Sequence, residues 1–177
     1  MVITMLQLVF LFFTLLTINN LWANPYHPST LTTALRIGNK ANGTSYFLCR
    51  AMLFNGIHSG KTWVDYNRCI IPYNGKEYVV GEFTIPNQLE FGHFTWTRYT
   101  KQNSNTLSTK PFLNAVAFGG KPIIIGRDVQ GKALYLCQSF FRGGVEPGKT
   151  WEGYNHCNIT FAGHEIISDD YRILVAI

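Results

Sequence analysis

Two stretches of the chain share a rhythm. Ser45–Phe54 (SYFLCRAMLF) and Ala133–Phe141 (ALYLCQSFF) are apolar and aromatic, and each follows a breaker pair, Asn42-Gly43 in one and Gln130-Gly131 in the other. Runs of this kind bounded by turn residues predict strands. A second break comes at Asn55-Gly56, matched by Gly143-Gly144, and each is followed by a Gly-Lys-Thr-Trp segment. Further strands are predicted over Ile70–Tyr73 and Tyr78–Ile85, around the Asn74-Gly75 turn. Their later counterparts are Ile159–Phe161, Glu165–Ile167 and Tyr171–Val175. No window sustains a 3.6-residue period with caps, so few helices are expected. Lys101–Thr109 (KQNSNTLST) is polar and rich in breakers, which reads as a linker.

The shared rhythm is a duplication. Displacing the sequence by about 88 residues lays residues 36–86 on 124–174 without a gap. Gly38 meets Gly126, Leu48-Cys49 meets Leu136-Cys137, and Gly60-Lys61-Thr62-Trp63 meets Gly148-Lys149-Thr150-Trp151. Tyr66-Asn67, Cys69, Gly75 and Glu77 fall on Tyr154-Asn155, Cys157, Gly163 and Glu165. The recurring glycines are expected at turns that need positive φ. The four cysteines allow three pairings, and zinc is a rival use, but zinc favours close C-x-x-C pairs and none occurs. Since each cysteine pair stays inside one repeat, Cys49 with Cys69 and Cys137 with Cys157 is the simplest assignment.

Composition adds the compartment. Leu6–Ile18 is an apolar run of about 13 residues, short of the roughly 20 a spanning helix needs. It reads as the core of a signal peptide covering residues 1–23, with Ala23 before the cut, although the positive n-region is missing. A retained anchor and a buried segment are the lesser readings. The mature protein is expected to be secreted, with no stable membrane insertion. Disulfides and the sequons at Asn42 and Asn158 fit that route. Hydrophobic residues make up 46% and charged residues 14%, enough apolar content for a packed core. A net charge of +5 is too small to mark a nucleic-acid binder.

The pattern G-x-D-x-x-G-x-x-L-Y, then P-G-K, then an aromatic-Gly-Glu turn, resembles the DM9 repeat. Gly126, Asp128, Gly131, Leu134-Tyr135, Pro147-Gly148-Lys149, Gly163, Glu165 and Tyr171 carry it in the second half. The first half keeps Gly38, Gly43, Tyr46, Gly60-Lys61 and Pro72–Glu77. The organisation that follows is repeat 1 over 34–89, a bridging segment with the polar linker over 90–121, and repeat 2 over 122–177. The resemblance implies an all-β fold in which two tandem repeats interlock about a pseudo-twofold axis as an antiparallel β domain. It also implies binding of mannose-type sugars and a role in innate recognition of microbes.

The sugar chemistry falls on named residues. A carboxylate accepts from two adjacent hydroxyls and an ammonium donates to their oxygens. The resemblance places that pair at Asp128 and Lys149. On chemistry alone, a surface Asp and Lys form a weak ion pair or none. In repeat 1 Lys61 is kept, but Lys40 stands in the place of Asp128. That pocket is therefore dead or retuned to an anionic ligand. Trp151 and Trp63 follow the lysines by two residues, so each could flank a sugar, though a core or turn-anchoring role is the plainer one. Glu77 and Glu165 contact turn amides or reach the sugar. Asp169-Asp170 lacks the spaced oxygens of a calcium site, so no metal or cofactor is expected. Catalytic spacings are absent, and His156 beside Cys157 is inert if the cysteine is disulfide-bonded. An enzyme is not expected. The other class is a secreted protein-interaction module, and a homodimer is left open.

Overall fold

The computed structural model describes residues 31–98 and 120–177. The expected signal peptide and the Lys101–Thr109 linker lie outside them.

Repeat 1 supplies β1 (Arg36–Asn39), β2 (Ser45–Leu53), β3 (Gly56–Thr62), β4 (Cys69–Tyr73) and β5 (Lys76–Val80). Past a 3-10 turn at Gln88–Phe91 comes β6 (Phe94–Arg98), and β7 (Lys121–Pro122) opens the second half. Repeat 2 then gives β8 (Ile124–Arg127), β9 (Ala133–Phe141), β10 (Gly144–Thr150), β11 (Cys157–Phe161) and β12 (His164–Ser168), followed by β13 (Arg172–Ala176). Apart from short 3-10 turns, the regular structure of the described residues is all strand, and every pairing is antiparallel.

The repeats interlock through β3 and β10. Along one edge β3 pairs with β2 throughout; along the other it meets β8 at Ile57 and β4 at Lys61. In the same way β10 pairs with β9, with β1 at Val145, and with β11 from Gly148. A ring closes through β3, β2, β1, β10, β11, β12, β5 and β4, so the antiparallel sheet forms a barrel. The largest core cluster draws on both halves, with Leu35, Ile37, Tyr46 and Leu48 against Ile123, Ile125, Leu136 and Leu174.

Two strands that the apolar pattern hides are β3 and β10, because both contain Gly-Lys and β10 also contains Pro147. A proline cannot donate to a ladder. Pro147 falls between Val145, paired with β1, and Gly148, paired with β11, where the strand changes partner. The predicted Tyr78–Ile85 strand is shorter than expected: β5 stops at Val80, and the chain pairs again only at Thr84, opposite Arg50.

The glycine expectation holds for Gly75 and Gly163, whose φ values are +78° and +84°. At Gly60 and Gly148 it is corrected. Neither needs positive φ; a Cβ on Gly60 would lie 2.1 Å from the Ile70 carbonyl oxygen, and one on Gly148 2.2 Å from that of Asn158. At these two positions glycine permits backbone contact. Beside each pinch a disulfide joins the flanking strands, Cys49–Cys69 between β2 and β4 and Cys137–Cys157 between β9 and β11.

Candidate functional site

The pinched strands carry two lysines into the interior from equivalent places. Alternation along β3 and β10 buries Lys61 and Lys149, which are 5% and 4% exposed. What each meets comes from the other repeat.

Lys61 meets a carboxylate. Its Nζ donates to Glu146 Oε2 at 2.5 Å and to the Thr160 carbonyl at 2.7 Å. The Tyr46 hydroxyl donates to the other carboxylate oxygen at 3.2 Å. Burial lowers the Lys61 pKa, against the opposing pull of Glu146. Burial, then the Glu146 charge, raises that of Tyr46. The cluster is a neutralised, hydrogen-bonded ion pair, and its ammonium is engaged.

Lys149 meets an imidazole instead. In the duplicated frame His58 stands where Glu146 stands, and His58 Nδ1 lies 3.4 Å from Lys149 Nζ. The ammonium also lies 5.0 Å from the centre of the Tyr73 ring. Among the described residues no carboxylate comes within ion-pair distance of Lys149. Burial pulls its pKa down to about 8, with Glu165 opposing. Burial and then Lys149 push His58 down to about 4, against the field of Asp128. At neutral pH the imidazole is therefore uncharged, and its Nδ1 accepts from the ammonium in the Nε2-protonated tautomer. An ammonium holds three donors, and one such contact leaves capacity.

Asp128, expected to face Lys149, sits at the turn between β8 and β9. Its Oδ1 accepts from the amides of Gln130 at 3.0 Å and Lys132 at 2.8 Å, an Asx-type arrangement. Lys149 therefore touches His58 directly, whereas Asp128 acts on that imidazole through its charge and does not pair with Lys149. Glu165 follows the plainer expectation: Oε2 accepts from the Gly75 amide at 2.6 Å, and Oε1 from Asn158 Nδ2 at 2.8 Å. Trp151 stacks on Tyr154 at 3.9 Å, with Lys132 5.3 Å from its ring centre. Trp63 has Tyr66 stacked at 3.8 Å and Lys40 Nζ 3.6 Å from its centre, which occupies both indole faces. The anion pocket expected from Lys40 and Lys61 is not assembled. One ammonium is held by Glu146 and the other lies on Trp63.

Of the two sequons, Asn42 is exposed at a turn, whereas Asn158 is 7% exposed. The Asn158 carbonyl accepts from the Tyr154 hydroxyl and its amide nitrogen donates to Glu165. A glycan on Asn158 would have to break both bonds, so that expectation is not supported. His156 pairs with Asp169, and Cys157 is disulfide-bonded, so no thiolate faces the imidazole.

His58 and Glu146 are the residues that motif reading missed. The signal was present: like Lys40 and Asp128, they occupy a position where the two aligned frames carry different chemistry.

The DM9 repeat family model matches residues 12–80 and 39–168. The chain belongs to the DM9 repeat family. Comparison with curated protein sequences finds no match. Among solved structures, the crystal structure of the nematode sperm cell motility protein MFP2B is similar, with a TM-score of 0.54 and 14% identity. The likeness covers 86% of this chain and 43% of that one, so the chain spans less than half of its length. At that identity the DM9 protein shares the fold with MFP2B, and the likeness carries no more than the fold. Neither comparison points to an enzyme family.

Proposed function

We propose that the protein is a secreted, lectin-like glycan binder whose mannose-type site lies in repeat 2, around Asp128, His58 and Lys149. The observation that carries this reading is the inequality of the two lysines. Lys61 is neutralised by Glu146, whereas Lys149 is buried beside a neutral imidazole with no carboxylate partner among the described residues. A buried ammonium with no carboxylate in ion-pair contact is costly, and such groups cluster where a ligand completes the site. Vicinal hydroxyls would accept from Lys149 and donate to Asp128 Oδ2, the carboxylate oxygen that the turn amides leave open. Calcium is not required, because carboxylate and ammonium together supply both roles. Membership of the DM9 family and the two disulfides accord with this reading. Glycans on microbial surfaces are the proposed ligands.

Calorimetry with methyl mannoside tests it. Asp128→Asn should weaken binding by about 1–2 kcal/mol, and Lys149→Ala by a similar amount, with the two losses non-additive. Lys61→Ala should leave affinity per folded molecule unchanged, and a chelator should have no effect. Loss of binding in Lys61→Ala with Asp128→Asn unaffected would place the site in the wrong repeat.

A further inference from the structure

Away from these lysines, the outer side of repeat 1 carries a groove of about 860 Å³ between the β5–Thr84 segment and β8. That volume lies within the roughly 300–1,000 Å³ of small-molecule sites. Its walls are apolar, with Met52, Val79 and Ile124 all on the lining and 63%, 55% and 41% exposed. Single exposed apolar side chains are ordinary, but three on one concave surface are not.

The groove also has a charged element. Arg50 lines it, and the Arg50 side chain is largely buried, with its guanidinium 5.3 Å from the Phe91 ring. Its ion pair with Glu90 spans 3.5 Å, longer than a charge-assisted hydrogen bond. The buried Arg50 Nε has no hydrogen-bond partner. Because Nε is closed to the surface, a carboxylate in the groove would meet the terminal amino groups of the fork, where Glu90 is a loosely held competitor. Arg127 also borders the groove, and Glu82 is the one acidic residue on its lining. Repeat 2 does not reproduce the arrangement: Gln138 stands in the frame position of Arg50 and Arg36 in that of Ile124.

We propose that this groove binds a soluble amphiphile with an apolar chain and an anionic head, a fatty-acid carboxylate, with the chain along Met52, Val79 and Ile124 and the head on Arg50. The area offered is apolar while the polar anchor is cationic, so a neutral or cationic head loses the anchor and a fully polar ligand loses the walls. This site is independent of the sugar reading.

Dodecanoate, dodecanol and dodecylamine, titrated below their micellar concentrations into the disulfide-intact protein, provide the test. Dodecanoate should saturate at one per chain and bind about tenfold or more tighter than the other two. Arg50→Gln, which installs the residue repeat 2 already carries, should reduce dodecanoate to the level of dodecanol while leaving dodecanol unchanged. Met52→Asp and Ile124→Asp, both at exposed positions, should weaken both ligands. Phe140→Asp, the counterpart of Met52 outside the groove, should weaken neither. Equal affinity for dodecanoate and dodecanol, unsaturable uptake, or a loss in Phe140→Asp matching that in Met52→Asp would overturn the proposal.

Discussion

At the scale of single residues, the exchange of Glu146 for His58 changes what acid does to the molecule. His58 is 2% exposed, and its pKa falls to about 4 from an ordinary 6.5. Between those values the unfolded chain binds a proton that the folded one refuses, so stability present above pH 6.5 is lost as the pH falls towards 4. The full span corresponds to about 3 kcal/mol. Below about pH 4 both states carry the proton and the contribution is flat. His58→Gln should therefore remove about that much of the fall in urea-unfolding free energy between pH 6.5 and 4, with little change in slope above 6.5. An unaltered acid slope in the variant would show that another group drives it. None of this was legible from motifs, since a histidine gains its meaning here from a lysine 91 positions away that the fold brings within 3.4 Å.

Single elements show why the reading of the sequence was good for some strands and poor for others. β2 and β9 are long, apolar and flanked by turns, so they match their predicted spans within a residue. β1 and β8 are four residues long and interrupted by Gly38 and Gly126, so even the apolar Ile123–Ile125 run at β8 is cut short before it has the length of a strand signal. β3 and β10 contain the glycines that let a third strand approach, so the feature that makes them junctions also makes them look like loops. This gives a contrast between two glycines of one repeat. At Gly60 a methyl group would drive into the Ile70 backbone, where relief requires moving a strand, whereas at Gly75 there is open space and only the positive φ to satisfy. Gly75→Ala should cost about 1–2 kcal/mol. Gly60→Ala should cost more, at least about 3 kcal/mol, because overpacking against backbone finds no rotamer to yield. Urea midpoints compare them directly, and equal losses would mean that the close approach is not what glycine supplies at position 60.

For the whole molecule, the sequence showed two repeats but not how tightly they share a core. A repeat-internal disulfide suggests two self-contained units. The pairing says otherwise, because β1 lies on β10 and β8 on β3, and the main core cluster mixes both halves. The expectation is one cooperative unit that unfolds together, despite staples that act locally. Closing the 20-residue separation between Cys49 and Cys69 is worth about 3 kcal/mol by loop entropy. In a chain of this length that corresponds to a fall of about 6–12 °C in Tm when the bond is lost. Variants that keep only Trp63 or only Trp151 as the fluorescent reporter separate the alternatives, since the two indoles sit in different repeats. In the intact protein both reporters should melt at one temperature. Replacing Cys49 and Cys69 by alanine should lower both transitions by the same amount, although Trp151 has no covalent tie to that disulfide. A Trp151 transition that stays in place while the Trp63 transition falls would show two independent repeats, and would mean that the shared strands contribute little to holding them together.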